Sequence, residues 1–210
     1  RHDRIVELVE EMLKLQAEGC HNINLVTPTH YMPEILEAIF IAREKGLNVP
    51  LVYNSGGYES MEALGILDGI IDIYMPDMKY SDNEPAKKYS NAPDYFEVNK
   101  IAVKEMYRQV GNLKIEKGIA KKGLLIRHLV LPDNMTGSKK TFGFIKNELS
   151  PDTYVNIMAQ YYPYHSVGTE QCSVPTMKNG PLQNFPEIDR RITASEYMEA
   201  IRLAEKAGLR

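Results

Sequence analysis

Apolar residues recur along this chain in two periods. Over residues 3–18, Ile5, Leu8/Val9, Met12 and Leu15 fall three or four apart, which predicts a helix with one buried face; Gly19 stops it. The same period marks MPEILEAIFIAREKG, MEALGILDG, KIAVKEMYRQVG, KKTFGFIKNEL and TASEYMEAIRLAEKAG as helices. Ser60 is placed to cap the second of these. Thr193 and Glu196 form a capping box on the last, and Gly208 ends it. Between them lie short apolar runs that read as strands: HNINLVTP, VPLVYNSGG, IIDIYMPDMKY, LLIRHLVLP and TYVNIMAQYYP. Residues 81–99 are polar and predict a short helix plus loop. NLKIEKGIAKKG reads as a basic, solvated surface loop.

Regular alternation of buried strands and helices predicts parallel β/α units, wound into a barrel or an open doubly wound sheet. No repeat, low-complexity tract or linker divides residues 1–210, so the pattern predicts one domain. From Tyr162 to Arg191 a stretch with four prolines and two glycines exceeds a plain connector and predicts a lid or binding loop.

The strand ends are more informative than the strand middles. Each apolar run finishes on polar groups or on Pro and Gly: Thr27-Pro28-Thr29-His30, Asn54-Ser55-Gly56-Gly57, Pro76-Asp77-Met78-Lys79, Pro132-Asp133-Asn134, and Gln160-Tyr161 before Pro163-Tyr164-His165. In β/α folds the carboxyl ends of the strands carry the chemistry. Alternate residues of a strand share a face, so Asp77 and Lys79 point the same way. They form either a structural ion pair at the rim or part of a ligand site. His128 follows Arg127 on one strand, so the two face opposite sides, and the histidine reads as a buried, hydrogen-bonded one. Tyr164 and His165, in the long loop, read as functional.

Composition narrows the classes. Hydrophobic residues make up 43% and charged ones 25%, as in an ordinary globular protein. A net charge of -3 argues against coating nucleic acid or an acidic membrane. No apolar run approaches the roughly 20 residues of a membrane span, no secretory signal opens the chain, and a cytoplasmic setting is expected. The chain opens on Arg1 rather than Met, which fits a trimmed product. Cys20 and Cys172 are far apart and read as packed thiols of a reducing compartment. There is no GxGxxG after a strand, no Walker loop, no GxSxG, no HExxH and no CxxC.

Several segments, in order, resemble the radical SAM proteins related to pyruvate formate-lyase activating enzyme, in an uncharacterised branch: GCHNINLVTPTHY, VPLVYNSGGYESMEALGILDGIIDIYMPDMKY, APDYFEVNKIAVKEMYRQVG, GIAKKGLLIRHLVLPDN and ELSPDTYVNIMAQYYP. The resemblance implies a partial (β/α) barrel of parallel strands alternating with helices, its first strand absent from this chain and the domain incomplete at its N-terminus. It implies a [4Fe-4S] cluster, held through a CxxxCxxC loop that these residues lack, and S-adenosylmethionine (SAM) across the strand ends. The implied activity is reductive cleavage of SAM and hydrogen-atom abstraction, with a glycyl-radical-enzyme activase as one form. The implied partners are a protein carrying a glycyl-radical site and an electron donor such as flavodoxin or ferredoxin. Position by position, Thr27, Pro28 and Thr29 match a turn that holds the methionyl amino group, with a different sequence. Asn54 and Ser55 match a pocket-lining strand, Asp77 and Lys79 match contacts to ribose and carboxylate, and His165 falls near the adenine. Two other readings stand beside this one: a binding scaffold without turnover, and a cofactor-free lyase using Lys79 as a Schiff-base lysine.

Overall fold

The computed structural model describes residues 2–163 and 185–209. Helix α1 (His2–Ala17) buries Ile5, Val9 and Met12, the predicted stripe, and packs on α2 (Met32–Glu44). Strands β1 (Ile23–Val26), β2 (Leu51–Ser55) and β3 (Ile73–Pro76) follow, with α3 (Met61–Leu67) between the last two. Ser60 caps α3 by accepting the Ala63 N–H, as its position predicts. After α4 (Asn83–Ser90) and α5 (Tyr95–Val110) come β4 (Lys114–Glu116), β5 (Ile119–Leu129), α6 (Ser138–Phe144), β6 (Tyr154–Met158) and α7 (Ala194–Ala207). The Thr193–Glu196 box opens α7 and Gly208 closes it in the left-handed region.

Among the described residues the strands form one six-stranded sheet. β1, β2, β3 and β5 are parallel neighbours in that order, and β6 runs parallel to β5 beyond them. β4 is antiparallel to the first part of β5, joined to it by a tight hairpin. Lys117 and Gly118 both adopt positive φ, 51° and 81°, the pair of left-handed residues that a two-residue hairpin turn requires. The segment expected to be a solvated loop is therefore part of the sheet. Its side chains in β4 are all exposed, so no apolar alternation announces it. These pairings correct the expected partial (β/α) barrel of parallel strands: the sheet is mixed and open, and no strand pairs with the free edge of β1 among the described residues.

The two faces of the sheet differ. Ile23, Leu25, Leu51, Tyr53, Tyr74, Leu124 and Ile126 point into one core with residues from α1, α2, α3, α5, α6 and α7. Each such fully buried aliphatic side chain contributes about 1.5–3 kcal/mol. The intervening residues, by alternation, point the other way. That face carries Asn24, Val26, Asn54, Met75, Asp77, Leu125, Arg127, Tyr154 and Asn156, and its outer members Val26 and Tyr154 are exposed.

Candidate functional site

β3 delivers Asp77 because its backbone stays paired on both sides past Pro76. The Asp77 N–H donates to Ser55 O (3.0 Å) and the Met78 N–H to Arg127 O (2.8 Å). Helix α5 then grips the strand end. Asn99 Nδ2 donates to Gly57 O and Asp77 O, both at 2.9 Å. Tyr95 Oη accepts the Lys79 N–H at 3.1 Å and lies 2.9 Å from Gly56 O and 3.1 Å from Asp77 O. Burial drives the Tyr95 phenol well above its ordinary range, so it stays a neutral donor. Gly57 permits this approach: it has φ 73°, and a Cβ there would stand 2.3 Å from Asn99 Nδ2 and 2.4 Å from Asp77 O. Gly56 next to it faces open space.

On the face opposite the large core, Asp77, Arg127 and Asn156 occupy one row across β3, β5 and β6. Val26, Asn54, Met75, Leu125 and Tyr154 share that face one row further down. The Asp77 carboxylate is 10% exposed and stands between two cations. Arg127 Nη2 is 2.7 Å from Oδ1, and Lys79 Nζ is 3.2 Å from Oδ2. Asp77 Oδ1 is held by that ion pair, and it and Arg127 Nε are both buried, with no further hydrogen-bond partner among the described residues. The shared face expected of Asp77 and Lys79 is present as this ion pair.

Other expected site residues divide between the two faces. Asn54 is buried on the Asp77 face. Thr27 leaves β1 exposed, with φ 51°, a left-handed conformation costly for a β-branched residue, and donates its N–H to Asn54 O at 2.8 Å. Pro28 is buried in the short turn that follows. Ser55 accepts the Gly57 N–H, and Thr29 Oγ1 donates to Glu59 Oε1 at 2.9 Å. Thr29 and Tyr53 thus close around Glu59, on the face that the helices cover. Burial raises the Glu59 carboxyl against the hydroxyl hydrogen bonds of Thr29 and Tyr53, and pushes the Tyr53 phenol up to about 12. This cluster fixes the turn after β1 and stays apart from the Asp77 row. Tyr164, His165, Cys172 and most of the expected lid over Tyr162–Arg191 lie outside the described residues.

His128 is fully buried, with Nδ1 2.8 Å from Met78 O and Nε2 2.9 Å from Ser138 Oγ, as its sequence position predicts. Burial pushes its pKa down to about 4. Sequence reasoning misses Arg127, whose adjacency to His128 alone leaves its side of the sheet open, and Tyr95 and Asn99, hidden in a polar stretch. The period-two alternation of LLIRHL, with buried Leu124, Ile126 and His128, is the signal that places Arg127. A cavity of about 950 Å³ lies elsewhere, between α4 and the return at Phe185–Glu187. Its lining side chains, Lys88, Tyr89 and Glu187 among them, satisfy one another.

Among the described residues, no three His, Cys, Asp or Glu side chains gather as a metal site. Cys20 is an exposed, free thiol. The donor set does not fit an iron–sulfur cluster, and the mixed open sheet is not the barrel that the resemblance implied. The expected radical SAM oxidoreductase activity, its [4Fe-4S] cluster and its SAM cofactor are corrected on those two findings. No helix among the described residues is long and apolar enough to cross a membrane.

No family model matches the chain. It is similar to an uncharacterized protein of Methanocaldococcus jannaschii, MJ0674, at 28% identity over 205 residues. The match covers 95% of this chain and 50% of that protein, so the chain spans about half the length of the curated relative it matches.

Proposed function

We propose that this chain is a cofactor-free binding scaffold that holds a small anion at the carboxyl ends of β3 and β5. One observation carries the reading: two cations flank a single carboxylate, nine-tenths buried, on the sheet face opposite the large core. Arg127 and Lys79 outnumber Asp77, leaving a local surplus of positive charge. Arg127 is a permanently charged, forked donor suited to carboxylate or phosphate. Lys79, 41% exposed, reaches toward solvent beside it. The position agrees with the general rule that ligands of α/β sheets sit beyond the strand carboxyl ends. A Schiff-base lyase gains no support, because Lys79 stands in an ion pair open to solvent rather than in the dry pocket that such a lysine uses.

Calorimetry at low ionic strength with phosphate, glycerol 3-phosphate and propionate tests this reading. At least one of the three is expected to bind, with affinity falling as salt rises. Arg127→Gln is expected to weaken that binding about tenfold, the scale of losing one charge-assisted hydrogen bond. Absence of heat from all three, or undiminished affinity in Arg127→Gln, would refute it.

A further inference from the structure

The β4–β5 hairpin carries positive charge that the chain leaves unanswered. Residues 112–123 hold four lysines and one glutamate, on a chain whose net charge is -3. Lys114 stands directly opposite Lys122, a like-charge cross-strand pair that costs stability. The register then slips. Ile115 pairs with Ala120, so Lys121 is the extra residue of a bulge, and it and Lys122 together oppose Lys114. Lys117 sits at the turn with φ 51°. Lys114, Lys117 and Lys122 are exposed and Lys121 is half-buried. No hydrogen bond or ion pair joins any of the four to another described residue. A lysine on an edge strand discourages edge-to-edge pairing. Three of them gathered at one bulge, at a cost in stability, go beyond that need.

We infer that this hairpin is a contact surface for the phosphate backbone of a nucleic-acid duplex. It lies at the start of β5, about 20 Å along the strand from Arg127, and is independent of the Asp77 row. Its composition selects the partner. Interfaces with proteins favour aromatic residues, Met and Arg and are poor in Lys, and residues 112–123 contain none of the first three. A bilayer surface calls for a broad apolar face beside the lysines, but Ile115, 52% exposed, is the ribbon's one exposed large apolar side chain. Single strands are held by stacking on aromatic rings, which the ribbon lacks. A duplex needs neither. A two-stranded ribbon fits a major groove, and lysines are flexible point charges that meet phosphates without reading bases. The net negative charge of the whole chain opposes a wider coating and confines the contact to this ribbon.

Fluorescence anisotropy of short labelled DNA and RNA duplexes, titrated with the whole chain between about 25 and 200 mM salt, tests this. At least one duplex is expected to bind, with the logarithm of affinity falling against the logarithm of salt at a slope of about -3. The double substitution Lys114→Gln, Lys122→Gln is expected to reduce that slope by about 2, and Lys117→Gln at the turn by about 1. Relief of the like-charge pair is expected to leave the melting temperature of the double variant unchanged or raised. Failure of both duplexes to bind at the lowest salt overturns the inference. A slope that neither substitution moves places any binding elsewhere and overturns it too. Polyglutamate or phosphatidylserine vesicles bound more tightly than either duplex, and released by the same substitutions, would assign the ribbon to an acidic protein or a membrane instead. None of these outcomes bears on the anion site at Asp77.

Discussion

Arg127 and His128 are consecutive residues of β5 and face two different environments. His128 points into the helix layer, where both ring nitrogens are bonded and the Phe142 ring meets it edge-on at 5.0 Å. Arg127 points to the other face, where its Nη2 pairs with Asp77 and its Nε is buried without a partner among the described residues. The same division runs across the sheet: buried Leu25 beside exposed Val26, Tyr53 beside Asn54, Leu124 beside half-buried Leu125. The larger hydrophobic core lies on one side, and the other holds the buried Asp77 between Arg127 and Lys79.

The sharpest way to break this comparison is to truncate the neighbouring leucines. Leu124→Ala is expected to cost about 3–4 kcal/mol in urea unfolding, whereas Leu125→Ala is expected to cost about 1 kcal/mol. Equal costs would erase the distinction between the faces.

His128 tests it by pH. Its ring is neutral in the folded protein, with a pKa pushed down to about 4 by burial from an ordinary 6.5. The unfolded chain therefore takes up the proton first. The contribution is complete above pH 6.5 and is lost as pH falls toward 4, by about 3 kcal/mol. His128→Gln is expected to flatten that slope, and an unfolding midpoint in the wild type that ignores pH over this range would contradict the buried neutral ring. At the small end, Val26→Thr on the uncovered face is expected to shift stability by no more than about 0.5 kcal/mol. A larger loss of melting temperature would mean that Val26 is covered.

The local features of this fold were largely legible in the sequence. The α1 stripe, the Ser60 cap and the Thr193–Glu196 box obey spacing rules that depend only on near neighbours, and all three hold. Asp77 and Lys79 were readable as a same-face pair for the same reason. What failed depended on distant pairing. The hairpin at Lys117–Gly118 lacks an apolar face, so only its glycine hints at it. Helix α5 begins at Tyr95, inside a stretch that reads as polar loop, because Tyr95, Phe96 and Asn99 are buried by tertiary contacts. A barrel and an open mixed sheet share the same alternation of elements, and only the β4 pairing and the free edge of β1 tell them apart.

Gly56 and Gly57 are adjacent, but mutation would treat them differently over generations. At position 56 an added methyl meets empty space, while at 57 it would collide with the Asn99 amide and the Asp77 carbonyl. Drift should scatter many residue types through the first position and purge nearly every newcomer from the second, so that two identical letters in one genome come to have opposite histories.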